Sequence, residues 1–248
     1  MKTRLYALVM AAILLFVPLL GIEASSLFRV PGDTVIQFPD PSFETMVRKI
    51  IGKPAGDITA IEVAGITTLD VSGLDITDLT GIEYFTALEK LRCEWNELTE
   101  LDVSQNIMLT VLICNGNLLT TLDLRHNPLL TELECLDNQL TTLDVSYNPA
   151  LTKLACMVNQ LTTLDVSHNP ALTIINCDDN QLTTLDVSHN PALIGLYCRN
   201  NSLTTLDISF NPALEHLDVY GNLFPDKSAI IGLDENKLKY FVFDPQNL

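Results

Sequence analysis

The chain has 248 residues, of which 47% are hydrophobic, and its formal net charge is −17 at pH 7. Nucleic acid and anionic membrane surfaces repel so acidic a protein, which excludes both classes of partner. The sequence contains no nucleophile–base signature, no phosphate-binding loop and no metalloprotease motif, so we expect neither an enzyme nor a cofactor or metal site.

The first 24 residues have the pattern of a secretory signal peptide. Lys2 and Arg4 precede an apolar run from Leu5 to Leu20, and Ala24 is a small residue suited to the position before a cleavage site. The apolar run is short for a transmembrane helix, and no second run of that length follows. We therefore predict a secreted or cell-surface protein that does not insert into a membrane after the signal is removed.

Residues 25–56 are predicted to form an N-terminal cap. Asp40 and Pro41 are typical of the start of a helix. The apolar residues that follow share one helical face and are Phe43, Met46, Val47, Ile50 and Ile51. Such a helix would cover the open sheet edge of a repetitive fold. Residues 57–87 contain degenerate copies of the repeat that follows.

One 21-residue pattern recurs through residues 88–223. It is clearest in six equally spaced cysteines, which are Cys93, Cys114, Cys135, Cys156, Cys177 and Cys198. A fixed period predicts a chain that coils, with each winding placing the same side chain over the previous one. Each repeat has two similar halves, L-x-x-L-x-C-x-x-N-x and L-T-T-L-D-V-S-x-N-P-A. We expect a short strand and a turn from each half, so that the coils build two parallel sheets.

The cysteines and asparagines of the repeat have predictable structural roles. Each cysteine follows an inward-pointing leucine by two residues, so it should also point inward. Stacked cysteines could pair, but parallel Cβ vectors give a poor disulfide dihedral, and we favour free thiols that fill the core. The asparagine at the ninth place of each half is expected to bond turn backbone. Residues 224–248 leave the pattern and form a predicted C-terminal cap, in which residues 237–243 suit a closing strand.

The segment L-x-x-L-x-C-x-x-N-x-L is similar to the core of a leucine-rich repeat, with cysteine in the last apolar position. The nested 10-plus-11 pattern and the segments 38–40 and 81–84 resemble bacterial internalin-like proteins. This resemblance implies a mainly β, right-handed leucine-rich-repeat solenoid of 21-residue coils, with an N-terminal helical cap and a C-terminal closing strand. It also implies binding of a partner, usually a protein, and it implies no reaction.

The two halves differ in how much their outward residues vary between copies. The second half hardly changes, so its outward residues cannot encode a site specific to one coil. The first half changes at places 3, 5, 7 and 8, where aromatic residues and arginine, which are favoured at interfaces, occur. We predict that this concave surface of a monomer binds an extracellular or host protein through Arg92, Trp95, Ile113, Glu134, Met157, Tyr197, Arg199 and Tyr220. Drift on an unconstrained surface is the alternative explanation.

The same outward positions suggest two further features. Apolar side chains are expected to form an exposed patch that consists of Ile113, Leu136, Met157 and Val158. Acidic side chains could instead form a site that binds or cleaves a glycan, and they are Glu132, Glu134, Asp137, Asp178 and Asp179. A glycan partner is therefore the second hypothesis, and a purely structural surface-layer role is the third.

The second halves carry two regular outward columns. One contains the acidic residues Asp102, Asp123, Asp144, Asp165, Asp186 and Asp207. We expect these carboxylates to be solvated and hydrogen-bonded by Ser and Thr, with a calcium ladder as the alternative. The other column includes His168 and His189, which could hold a metal but are better explained as part of an aromatic surface ladder.

Overall fold

The structure is a computed structural model that describes residues 34–247. The predicted signal peptide lies outside these residues. The described chain contains eleven short strands, which are β1 Thr68–Asp70, β2 Lys90–Arg92, β3 Val111–Ile113, β4 Glu132–Glu134, β5 Lys153–Ala155, β6 Ile174–Asn176, β7 Gly195–Tyr197, β8 Leu206–Asp207, β9 His216–Asp218, β10 Ile230–Ile231 and β11 Tyr240–Val242. Nine of them form one parallel sheet in the order β1-β2-β3-β4-β5-β6-β7-β9-β11.

The register of this sheet equals the period of the sequence. Leu112 lies between Leu91 and Leu133, which are 21 residues before and after it. The hydrogen-bond ladder continues beyond the strands, since the Cys114 N–H donates to the Glu134 carbonyl at 2.8 Å. Matching letters of successive copies therefore become neighbouring side chains, as the repeat predicts. The fold is a parallel leucine-rich-repeat solenoid.

The second half-repeats differ from the expectation of a full second sheet. Only β8 and β10 pair on that side among the described residues. The cause is local: the Asp144 carboxylate accepts the Ser146 N–H at 2.9 Å, and the same Asp–Ser bond recurs in other coils. An aspartate that bonds backbone two residues on favours a turn over a strand. The second halves are therefore mostly extended turns.

Two helices cap the N-terminal end. The first is α1 Pro41–Ile51, and the second is α2 Ala60–Val63. Asp40 is the N-cap of α1, where it accepts the N–H groups of Ser42 and Phe43, and its other oxygen accepts the Thr77 N–H at 2.8 Å. One side chain thus starts the helix and ties it to the first coils. Short 3₁₀ helices span Ile82–Tyr84 and Lys227–Ala229.

The core consists of columns of leucine, valine and cysteine. All six cysteines are free and fully buried, and burial raises the pKa of their thiols, to about 12 for Cys156. The asparagine column at the end of the first half bonds backbone in two coils: Asn117 donates to the carbonyls of Cys93 and Cys114 and accepts the Leu98 N–H at 3.0 Å. Both predictions for these columns are confirmed.

Candidate functional site: the variable face

The variable face consists of the outward side chains at places 3, 5, 7 and 8 of the first half-repeats. Strands β2 to β7 and β9 supply places 3 to 5, and the positions that follow each strand supply places 7 and 8. Because side chains alternate along a strand, Arg92 and Tyr197 project from the sheet while Leu91 and Leu196 enter the core. The sheet therefore lines up residues from successive coils on one surface.

The structure corrects one part of the predicted apolar patch. Ile113 is only 8% exposed, because it lies in register between Arg92 and Glu134, whose longer side chains flank it. Leu136 and Met157 are half-buried. Val158 is 40% exposed and is the outermost apolar residue of this set. Ile113 therefore offers little surface to a partner, while Val158 offers more.

Two predicted aromatic contacts lie against glycines. The indole of Trp95 is 59% exposed and covers Gly116, where a Cβ atom would overlap the ring. The ring of Tyr197 passes over Gly195, where a Cβ atom would lie 3.1 Å from Cε2. Each aromatic side chain thus rests where its neighbour has no side chain. Both glycines stand at variable places of the repeat. A glycine next to an aromatic residue, in the same strand or in the next coil, is the feature of the sequence that indicates this packing.

The arginine at the N-terminal end of the face is held by two acids. Arg92 forms an ion pair with Glu94, and its Nε lies 3.7 Å from Asp70 Oδ2. Glu94 is 9% exposed, and its Oε2 atom accepts no hydrogen bond from a described residue. The cluster therefore has two carboxylates for one guanidinium, beside the exposed ring of Trp95.

A lysine in the middle of the face has the same arrangement. Lys153 lies 2.8 Å from Glu132 Oε1 and also pairs with Glu134. The amide of Asn115 donates to Glu134 Oε2 at 3.1 Å. Partial burial works to raise the pKa of Glu134, but hydrogen bonds from Lys153 and Asn115 outweigh it and hold that pKa below its usual value. This glutamate is an ionised, paired carboxylate.

The C-terminal end of the face combines Arg199 with acids and tyrosines. The guanidinium of Arg199 lies 5.1 Å from the ring centroid of Tyr220, and its Nε lies 3.8 Å from Asp218 Oδ2. The hydroxyl of Tyr240 donates to that same oxygen at 3.1 Å. The repeat pattern did not reveal Tyr240, because it comes from the closing strand β11, whose register with β9 has no copy in the array.

Asp178 is a buried acid of the variable face with a raised pKa. It is 6% exposed, and its Oδ1 accepts the Arg199 N–H at 2.7 Å. Burial raises the pKa of Asp178 to about 6; the Arg199 N–H opposes this shift and the nearby charge of Asp218 adds to it. Asp178 therefore titrates close to neutral pH, unlike the exposed aspartates on the opposite side of the coil.

The second half-repeats form that opposite side. Hydrogen bonds from the hydroxyl and N–H of the following serine lower the pKa of Asp144, Asp165, Asp186 and Asp207. His168 and His189 each contact the hydroxyl of the preceding serine at 3.1 Å. Within residues 34–247, no group of three or more His, Cys, Asp or Glu residues is arranged to hold a metal ion.

A concave depression of about 750 Å³ also lies on this opposite side. It is lined mainly by side chains of two successive second half-repeats, including Thr99, Asp102 and Asp123, and by Leu118 at the end of the first half between them. Thr99, Asp102 and Asp123 recur in almost every coil, whereas Glu100 and Leu118 stand where other coils mostly have Thr and Gln. The depression is therefore built mainly from the repeat.

Comparison with known proteins identifies the repeat. Residues 199–215 match the family profile described as "Leucine Rich repeat". No curated protein sequence matches the chain. Among solved structures, the functional domain of InlJ from Listeria monocytogenes, described as including a cysteine ladder, is 38% identical with a TM-score of 0.69. That match covers 84% of this chain and 52% of the InlJ chain, so the protein spans about half the length of this relative.

Two further structures share the fold at lower identity. Internalin C2 from Listeria monocytogenes is 22% identical over 83% of this chain and 92% of its own, with a TM-score of 0.75. A leucine-rich-repeat protein of Leptospira interrogans is 23% identical over 75% of this chain and 50% of its own, with a TM-score of 0.67. In the described part of the chain, no helix has the length and apolar character needed to cross a membrane. The 21-residue register, the buried cysteine column and these similarities show a leucine-rich-repeat fold like that of the bacterial internalins.

Proposed function

We propose that the protein is an exported, non-enzymatic recognition module that binds an extracellular protein through the variable face. The observation that carries this proposal is the packing of two outward aromatic side chains on glycines. Trp95 and Tyr197 extend outward over Gly116 and Gly195, although the other coils fold without an aromatic residue at these places. Large aromatic side chains held in defined positions are typical anchors of protein interfaces.

Glycan cleavage has less support. Hydrolysis of a glycosidic bond needs a protonated acid and a second carboxylate on either side of the bond. Asp178 has the raised pKa of an acid, but Glu134 is engaged in an ion pair with Lys153, and Ala155 and Met157 occupy the coil between the two acids. The acidic residues of the face serve better as partners for cations than as a catalytic pair.

The proposal is tested by affinity capture with residues 25–248 as bait, incubated with a mixture of extracellular proteins. The test variant is Trp95→Ala/Tyr197→Ala. The matched control is Tyr147→Ala/Phe210→Ala, which removes two aromatic residues that are 50% and 57% exposed on the second half-repeats. We expect one protein to bind the wild type and the control and to be lost from the test variant.

Equal capture by both variants would contradict a role for the variable face, and so would equal loss. Export is tested separately by expressing residues 1–248 and sequencing the N-terminus of the protein in the medium. We expect that N-terminus at Ser25. A protein that stays inside the cell with Met1 intact would remove export from the proposal.

A further inference from the structure

One column at the margin of the variable face has an unusual backbone. The eighth residue of each first half-repeat has a positive φ, and we call this column the αL edge; it consists of Trp95 (56°), Gly116 (60°), Asp137 (53°), Val158 (54°), Asp179 (54°), Asn200 (48°) and Gly221 (68°). Gly, Asn and Asp adopt this conformation most readily. Five of the seven positions follow this rule, while Trp95 and Val158 do not.

Folding does not account for these two exceptions. A β-branched residue such as Val158 is disfavoured at positive φ, and Asn200 shows that asparagine fits the same place. Burial in the core does not account for them either, because Trp95 is 59% and Val158 is 40% exposed. Two exposed apolar side chains thus occupy positions where the backbone favours small polar residues. Contact with a partner explains both.

The charges around the αL edge indicate the chemistry of that partner. Each cation of the clusters described above is shared by two carboxylates, since Arg92 pairs with Glu94 and Asp70, and Lys153 pairs with Glu132 and Glu134. Arg199 likewise lies against Asp218, while its own N–H binds Asp178. All three clusters therefore keep an excess of negative charge.

The αL edge itself adds two carboxylates on either side of Val158. Asp137 and Asp179 are exposed, and neither forms an ion pair with a residue in the described range. They lie two coils apart, which is roughly 10 Å at the spacing of neighbouring strands. Trp95 lies further along the same column, with one face on Gly116 and the other available to a cation.

From these observations we infer that the αL edge binds a basic segment of the protein partner. Two Lys or Arg side chains of that segment pair with Asp137 and Asp179, an apolar side chain between them contacts Val158, and a further cation stacks on Trp95. This inference rests on the proposed function and specifies the partner: it carries a basic surface with an embedded apolar residue, complementary to the excess of carboxylates.

The inference is tested with three synthetic peptides of equal length whose binding is measured by fluorescence anisotropy at physiological ionic strength. One peptide repeats Lys-Leu, the second has Gln for each Lys, and the third has Glu for each Lys. We expect the lysine peptide to bind the wild type most tightly. The Asp137→Asn/Asp179→Asn variant should bind it roughly fivefold more weakly, as expected for two exposed ion pairs.

The control is Asp144→Asn/Asp186→Asn, which makes the same charge change two coils apart on the second half-repeats. Asparagine at these places can still accept the Ser146 and Ser188 N–H groups, so the fold is preserved. We expect this control to bind the lysine peptide almost as the wild type does. Equal weakening by both variants, or tighter binding of the glutamate peptide, would overturn the inference.

Val158→Asn is an independent test, because its stability and its peptide binding should change in opposite directions. A residue with only a structural role would not show this combination. Because asparagine relieves the unfavourable φ, the variant should melt at a higher temperature than the wild type while binding the lysine peptide more weakly. Unchanged binding would contradict a contact at Val158. If a partner captured through Trp95 and Tyr197 binds the Asp137→Asn/Asp179→Asn variant as well as the wild type, the proposed function holds and the basic segment is wrong.

Discussion

The two half-repeats satisfy their backbones in different ways. In the first half, strands of successive coils pair N–H and C=O groups directly, as between Leu91, Leu112 and Leu133. In the second half, side chains form many of the hydrogen bonds to the backbone. Asp144 accepts the Ser146 N–H, and Asn148 donates to carbonyls of the previous coil at 3.1 and 2.9 Å.

This difference explains why one half varies and the other does not. Where backbone pairs with backbone, an outward side chain can change without loss of a hydrogen bond. Where the chain turns, Asp, Ser and Asn side chains bond the backbone, so Asp and Asn recur in every copy and Ser in all but one, where Arg125 replaces it. The outward residues of the first half are therefore free to vary, whereas the Asp, Ser and Asn residues of the second half are needed to form the turn.

The largest expected effect comes from the two asparagine columns. Asn117→Ala removes four hydrogen bonds from the backbone and should lower the free energy of unfolding by about 3 kcal/mol. Asn148→Ala removes two, and the oxygen that is lost accepts no hydrogen bond from the described chain, so its cost should be about 2 kcal/mol. Urea unfolding of both variants measures the difference, and a larger cost for Asn148→Ala would contradict this order.

A smaller effect is expected from Asp178, and it depends on pH. Because burial raises its pKa to about 6, the folded protein holds a proton on Asp178 between about pH 4 and 6 that the unfolded chain releases. The contribution of Asp178 to stability therefore falls as pH rises through this window. Asp178→Asn should be neutral below pH 4 and should raise the free energy of unfolding by about 2 kcal/mol above pH 7.

The matched control for this pH effect is Asp186→Asn. Hydrogen bonds from Ser188 lower the pKa of Asp186, so its stabilising effect is present above the unfolded pKa and is lost as pH falls through the folded one. The Asp186→Asn variant should therefore lose stability at neutral pH relative to the wild type. The same sign for both variants at pH 7 would show that the two sides do not differ electrostatically.

The smallest effect compares two outward residues. Asp144→Ala deletes the acceptor of the Ser146 N–H and should cost about 1 kcal/mol of unfolding free energy. Lys90→Ala changes an exposed side chain on β2 and should stay within about 0.5 kcal/mol of the wild type. Thermal and urea unfolding of the pair check this, and equal costs would remove the distinction between the halves.

Much of the fold follows from the period alone. The spacing of the cysteines and asparagines predicts their columns, because a coil of fixed length stacks identical places. The second sheet was overestimated, since both halves share leucine spacing and only the Asp–Ser bond distinguishes a turn from a strand. The period predicts which residues face outward, but it does not predict how much of each side chain its neighbours cover. Ile113 faces outward and is nevertheless buried, because it lies between the longer side chains of Arg92 and Glu134.

The candidate site was predictable to a lesser degree. Trp95, Tyr197, Arg199 and Tyr220 lie on the variable face where the repeat places them. The contact between Tyr240 and Asp218 could not be derived, because the closing strand has no copy from which to read its register. The positive φ of Val158 was also hidden, since the letter at that place differs between copies.

The most direct test of the division between the two halves measures stability and binding on the same two variants. Trp95→Asn/Tyr197→Ala changes the first halves, and Asp144→Ala/Asp186→Ala changes the second halves. We predict that the first variant loses the captured partner while its unfolding free energy stays within about 1 kcal/mol of the wild type, and that the second keeps the partner and loses about 2 kcal/mol of stability. The opposite assignment, with binding lost from the second variant and stability from the first, would contradict the account.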